Sequence, residues 1–255
     1  MASKEGRCTV SEVVYTSEAF PVRASLYSPK PGKQPAPGVV LCPARMRDIK
    51  GLEFISAALA RSGFVVLATT YRRDSFESDD VDVVDGISYL SSLPEVDTSH
   101  LGVVGHSRGG LAALLAAAMD HRIQSVIALA PVTDMAHLVN GLKALSPLRY
   151  AGMVEAVGGS PEELPERYEH MNAVAKASQI QVPVLLVHGT LDANVPVEHS
   201  QWMYDALLAA GNPNVRLELI PNMAHYFDVT YYGYEFDRIS ELVRSWFGQT
   251  LRRKA

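Results

Sequence analysis

The stretch Val103-Val104-Gly105-His106-Ser107-Arg108-Gly109-Gly110 constrains this chain more than any other. An apolar run enters Gly-x-Ser-x-Gly, and beyond it Leu111, Leu114, Leu115 and Ala118 fall on one face of a helix. Strand, tight turn and helix with a serine at the apex make a nucleophile elbow. Gly105 and Gly109 let the turned backbone pass close to its neighbours, where a Cβ would clash. Serine beside glycine is common in ordinary turns, so the pentapeptide gains its meaning from the strand before it and the helix behind.

Elsewhere the pattern predicts a hairpin and then a strict alternation. Residues 9–15 and 20–27 read as paired strands, followed by the turn Ser28-Pro29-Lys30-Pro31-Gly32-Lys33-Gln34-Pro35. Strands at 38–42, 64–69, 101–105 and 123–130 then alternate with helices at 52–61, 82–91 and 108–119. Segments 183–187, 197–210, 215–220 and 234–247 close the series as strand, helix, strand, helix, the last with Ile239, Leu242, Val243, Trp246 and Phe247 at core spacing. Such alternation predicts an α/β fold: a mostly parallel sheet, helices on both faces, and chemistry at the carboxyl ends of the strands.

One stretch interrupts it. About fifty residues separate Ala130 from Pro183, too many for a simple crossover. Ser160-Pro161-Glu162-Glu163 has the form of a helix start, with Ser as N-cap, Pro at N1 and Glu at N3. Residues 134–181 are expected to form a helical cap over the carboxyl edge of the sheet, within a single domain of residues 1–255. Most of Met135, Leu138, Leu142, Leu145, Leu148, Met153 and Met171 should pack onto the domain. A few, with Met135 and Met153 as candidates beside Met46, should line a substrate pocket.

Composition narrows the function. With 47% hydrophobic residues and a net charge of -5, the chain has a core to bury and no basic footprint for nucleic acid. Residues 1–10 lack the apolar region of a signal peptide, and no apolar run reaches the roughly 18 to 20 residues that cross a bilayer. A cytoplasmic protein without membrane attachment is expected, and a homodimer is left open. Cys8 and Cys42 offer neither a disulfide framework nor metal-ligand spacing. No cofactor or metal is expected: a phosphate-cradling Gly loop ending in Lys-Ser/Thr is missing, and Asp79-Asp80 and Glu162-Glu163 read as solvated or capping faces.

A serine hydroxyl needs a base and a group to orient that base. Val184-Leu185-Leu186-Val187-His188-Gly189-Thr190-Leu191-Asp192 supplies a buried strand and an Asp beyond its end. Leu217-Glu218-Leu219-Ile220-Pro221-Asn222-Met223-Ala224-His225 supplies the next strand and a His in the following loop. Ser107, Asp192 and His225 thus run in the order nucleophile, acid, base, each after a buried strand. Among the other histidines, His106 should pack beside the elbow, His188 should order the acid loop, and His199 should lie on a helix surface.

These stretches carry a family likeness. Tyr71-Arg72 with Asp82-Val83-Val84-Asp85-Gly86-Ile87-Ser88-Tyr89-Leu90, then Gly158-Gly159-Ser160-Pro161-Glu162-Glu163, Pro183 to His188-Gly189, and Asp192-Ala193-Asn194-Val195-Pro196 are more specific than the elbow. Across residues 39–247 the chain resembles the catalytic domain of prolyl oligopeptidase-type serine peptidases, and nearly as much the dienelactone hydrolase group of the α/β-hydrolase superfamily. The resemblance implies an α/β-hydrolase fold with Ser107 as nucleophile, Asp192 as acid and His225 as base. It also departs from the family. Where a His-Gly-Gly type loop often follows the third strand, this chain has Cys42-Pro43-Ala44-Arg45-Met46-Arg47. Pro43 has no N–H, so Arg45, with Ala44 next, is expected to give one backbone donor of the oxyanion hole and Arg108 the other. The loop at His225 lacks the usual flanking glycines, and 255 residues leave no room for the propeller of the oligopeptidases.

The first expectation is therefore a serine hydrolase that cleaves small carboxylic esters through an acyl-enzyme. A prolyl oligopeptidase-like peptidase or acyl-aminoacyl hydrolase acting on short peptides is the alternative. An acyltransferase or a non-catalytic binding relative is a further one. Two charge pairings are also expected. Arg72 should meet Asp82 or Asp85. Arg108, with Arg45 and Arg47, should either pair with an acid such as Asp48 or Glu53 or extend into solvent, or else face the cleft and bind a substrate carboxylate through its bidentate fork.

Overall fold

A computed structural model describes residues 8–30, 32, 35–44, 53–72, 76–225 and 234–251. Among these, β1 (Thr9–Ser17), β2 (Phe20–Ser28), β3 (Ala36–Cys42), β4 (Val65–Thr69), β5 (Val96–His106), β6 (Ile123–Leu129), β7 (Val184–Gly189) and β8 (Val215–Ile220) form one sheet in the order β1-β2-β4-β3-β5-β6-β7-β8. The hairpin β1–β2 and the pair β2–β4 are antiparallel, and every pair from β4 through β8 is parallel. The hairpin turns on Glu18 and Ala19, both at positive φ (42° and 72°). That is the twist a two-residue hairpin needs, reached here without glycine.

Period-two alternation sends successive strand residues to opposite faces. On β3, Val40 and Cys42 join a cluster with Val83, Ile87, Leu111 and Leu114, whereas Val39 and Leu41 join Ile55, Leu59, Ile239 and Val243. The first face is thus covered by α2 (Asp79–Ser91) and α3 (Arg108–Met119), with Met203 and Leu207 of α7 (Glu198–Ala209), and the second by α1 (Glu53–Arg61) and α8 (Tyr234–Thr250). Helix α3 is buried from Arg108 to Ala118, its small Gly and Ala side chains letting it pack closely between the sheet and α2. The expected helix residue Leu52 lies outside the described residues.

The long insertion is helical. It contains α4 (Met135–Leu145), α5 (Pro147–Val157), α6 (Pro165–His170) and a 3₁₀ turn at Val174–Gln179. Asp134 caps α4 by accepting the His137 N–H at 2.9 Å, and Gly158 ends α5 at φ 94°. The Ser160 signal is corrected: Ser160 and Glu163 exchange the reciprocal bonds of a capping box, but they close a turn, and the helix starts at Pro165. Two leucines also depart from expectation. Leu145 and Leu148, at the α4–α5 corner, are 83% and 85% exposed, while Met135, Leu138, Leu142 and Met171 are buried.

Two further corrections, and one pairing that came as expected, concern polar groups. His199 is fully buried, its Nδ1 accepting the Thr133 N–H at 3.3 Å. Asp79 and Asp80 are buried as well; the side chain of Asp79 faces Arg108, and Asp80 accepts a 2.8 Å bond from His170 Nε2 on α6. Arg72 meets Asp82 rather than Asp85, with its backbone N–H at 2.8 Å and Nε at 2.6 Å from the two carboxylate oxygens. Cys8 and Cys42 are both free. Among the described residues no helix is long and apolar enough to cross a membrane, and no cluster of three or more His, Cys, Asp or Glu could hold a metal ion.

Candidate active site

Ser107 stands between β5 and α3 at φ 57° and ψ −112°. A non-glycine residue there carries roughly 1–3 kcal/mol of strain, sustained only where the surroundings over-determine it. The surroundings do so. A Cβ on Gly105 would lie 1.9 Å from the Gly109 carbonyl oxygen, and one on Gly109 would lie 2.2 Å from that of Cys42. Strand end, elbow and the end of β3 are therefore in backbone contact, and the Ser107 N–H is tied to the Leu129 carbonyl of β6 at 2.8 Å.

The parallel strands then bring two distant loops to the serine. Asp192 follows β7 and His225 follows β8. His225 Nε2 lies 2.9 Å from Ser107 Oγ, and its Nδ1 lies 2.6 Å from Asp192 Oδ2. An ionised carboxylate can only accept, so Nδ1–H is the donor and Nε2 is left to accept the serine proton. Asp192 Oδ1 accepts the N–H groups of Asn194 and Val195 at 2.8 and 2.9 Å. Burial pushes the Asp192 carboxyl up, but bonds from His188, His225 and the Val195 N–H, with the charge of His225, outweigh it and hold the group well below the usual carboxylate range.

Two more histidines brace this arrangement, in the positions expected. His188 Nε2–H reaches the Val195 carbonyl at 3.0 Å and Asp192 Oδ2 at 3.2 Å, while its Nδ1 accepts from Ser200 Oγ at 2.7 Å. His106 Nε2–H donates to the His225 carbonyl at 2.9 Å, and the two rings lie 5.0 Å apart.

The side chain of Arg108 takes the first of its two expected courses and pairs with an acid. Its Nε and one terminal nitrogen reach the two Asp79 oxygens at 2.5 and 2.7 Å, and its guanidinium lies over the rings of Tyr71 and Phe76 at 4.3 and 4.6 Å. Asp79 on α2 is its partner, in place of Asp48 or Glu53. Tyr71 in turn donates to the Pro43 carbonyl at 2.8 Å, which joins the cluster to the loop after β3. Arg45, Met46, Arg47 and Asp48 lie outside the described residues.

A cavity of about 220 Å³ opens at Ser107 and His225. Leu138, Leu142 and Met153 of the insertion line it; Met135 does not, being fully buried in the core. Two further lining residues are Asn194, within the Asp192–Pro196 stretch that carries the family likeness, and Arg149, which has no sequence signal that would have singled it out. Arg149 lies on α5 and donates to the carbonyls of Ala193 and Asn194 at 3.1 Å each.

Fold and site define a serine hydrolase built on the α/β-hydrolase fold. The model of the prolyl oligopeptidase family matches residues 57–252, and the chain belongs to that family. An uncharacterized peptidase of Bacillus subtilis, YtmA, is 30% identical over 66% of this chain and 67% of its own length. Human dipeptidyl peptidase 8 is 28% identical over 87% of this chain and 26% of its own. Among solved structures, uncomplexed Pyrococcus horikoshii acylaminoacyl peptidase superposes with a TM-score of 0.83 at 17% identity, covering 99% of this chain and 43% of that one. Est1E from Butyrivibrio proteoclasticus superposes with a TM-score of 0.75 at 20% identity, over 93% of this chain and 98% of that one. The chain therefore spans about two thirds of YtmA and about a quarter of dipeptidyl peptidase 8.

Proposed function

We propose that Ser107 is the nucleophile, His225 the general base and Asp192 the acid that orients it, and that the chain hydrolyses short peptides or acyl-aminoacyl compounds. The observation that carries this reading is the continuous hydrogen-bonded series from Ser107 Oγ through the His225 ring to Asp192. Membership of the prolyl oligopeptidase family and the likeness to YtmA weigh toward amide substrates over the carboxylic esters first expected.

In this reading Ser107 Oγ attacks the substrate carbonyl carbon while its proton passes to His225 Nε2. The developing oxyanion is met by the Arg108 N–H and by an N–H of the loop after β3, Ala44 or Arg45. His225 then returns the proton to the leaving amine, and water repeats the sequence to free the acid. Asp192 stabilises the imidazolium throughout without taking the proton. Activated esters need less help at the leaving group and should also be turned over.

A panel of aminoacyl and N-acyl-aminoacyl p-nitroanilides, beside p-nitrophenyl esters of increasing chain length, tests the reading on one preparation. Anilide hydrolysis that disappears in Ser107→Ala is the expected result. Ester turnover with no anilide hydrolysed would return the assignment to a carboxylesterase.

A further inference from the structure

Resting on the hydrolase reading, the substrate class can be taken one step further. Among the described residues, the cavity wall contributed by the insertion is apolar, through Leu138, Leu142 and Met153, with one exception. Arg149 brings a full positive charge to that wall. The other lining cation, Arg108, already faces the Asp79 carboxylate through two hydrogen bonds, so its charge is neutralised within the protein.

Arg149 has no such partner. Its two bonds go to backbone carbonyls, Ala193 and Asn194, and no described carboxylate lies within ion-pair distance of it. A guanidinium has five N–H donors, and two are engaged here. Those two bonds have a second effect. They hold a long side chain against the Asp192 loop, so part of the ordering cost of binding is met before a ligand arrives. The result is a positioned cation in the same cavity as Ser107 and His225.

We infer that Arg149 recognises a carboxylate on the substrate, and that the enzyme prefers acylated compounds or peptides carrying a free carboxylate near the scissile bond. Arg suits this because its planar fork matches a carboxylate, and an uncharged competitor gains nothing from it. Carboxylate recognition, one of the two courses open to Arg108 from the sequence, is assigned here to a helix of the insertion.

The test uses matched pairs that differ only in that charge. One pair is N-succinyl-alanine p-nitroanilide and its succinamoyl analogue, with the carboxylate on the acyl side. The other is N-acetyl-dialanine and its C-terminal amide, with the carboxylate on the leaving side. In the wild type, kcat/KM for the charged member of at least one pair should exceed that of its neutral partner by about tenfold, the scale of a charge-assisted contact at a solvent-facing site. The ratio should fall toward one in Arg149→Gln, recover in part in Arg149→Lys, and shrink as NaCl is raised.

Binding of the same pairs to Ser107→Ala, read by titration calorimetry, separates this inference from the assignment of the reaction. If no pair is turned over but the charged member binds tighter in an Arg149-dependent way, the hydrolase reading fails and the carboxylate site stands. Equal handling of charged and neutral members in the wild type overturns the inference. So does a ratio unchanged in Arg149→Gln, which would leave Arg149 as a tie between α5 and the acid loop.

Discussion

The contact between the elbow and the end of β3 makes Gly109→Ala the most informative single substitution. The added methyl would sit 2.2 Å from the Cys42 carbonyl oxygen and 2.6 Å from its carbon. Real Cβ atoms essentially never come closer than 3.0 Å, so the two backbones must separate by about 0.8 Å. Both are main chain, and no side chain can swing aside to relieve the overlap. Overpacking of this kind costs about 1–3 kcal/mol, which at a urea m-value of about 3 kcal/mol/M moves the midpoint by roughly 0.3–1 M. The catalytic cost should be larger. Ser107 and the Arg108 N–H belong to the elbow, whereas the second proposed oxyanion donor belongs to the loop after Cys42, so the separation pulls the two donors apart. A misplacement near 1 Å costs on the order of 10² in rate. Steady-state kcat and urea midpoints on the same preparation decide it. A Gly109→Ala variant with wild-type kcat would refute the claim that this contact sets the oxyanion geometry.

Other outcomes are expected from the same structure. Ser107→Ala and His225→Ala should each lower kcat by on the order of 10³ or more, and the double variant should be little worse than either; multiplicative losses would refute the assignment. Arg72→Ala leaves the Asp82 carboxylate, whose side chain is 1% exposed, with a backbone N–H but no counter-charge, and should cost about 3 kcal/mol; an unchanged urea midpoint would refute it. Burial, with repulsion from His137 and His188, lowers His199 to about 3. Its folded value lies below its unfolded one, so the associated stability is present above about pH 6.5 and is lost as pH falls toward 3, by up to about 1.4 kcal/mol per pH unit. The wild-type urea midpoint should therefore drop more steeply than that of His199→Gln between pH 7 and 5, and parallel curves would count against a buried neutral imidazole.

Local rules read the strands and helices of this chain well, because period and turn chemistry are written in neighbouring residues. Side-chain destinations set by distant contacts were harder to read. His199 looks like a surface residue on its helix, yet Thr133, 66 positions away, buries it. Asp79 resembles a solvated helix start, and only the approach of Arg108 shows it to be half of a buried pair. Ser160 and Glu163 formed their reciprocal bonds as the pattern predicts, but such bonds also close an isolated turn, so they did not start a helix. Ser107, Asp192 and His225 were legible because each follows a buried strand in a fixed order. Arg149 was not, since nothing in Pro147–Val157 marks which of its side chains faces the cavity.

Ser107 and His225 are 118 positions apart in the chain, and their hydrogen bond exists only when β5, β6, β7 and β8 have all taken their places in the sheet. During synthesis, the polypeptide therefore carries its serine through the assembly of β5 and β6 without the His225 imidazole, and under the proposed roles it gains its base only when β8 docks at the far edge. Contacts of such long sequence separation form late and slowly. In refolding, the return of fluorophosphonate reactivity should accordingly lag behind the return of helical circular dichroism, making the nucleophile a reporter of the last step in closing the sheet.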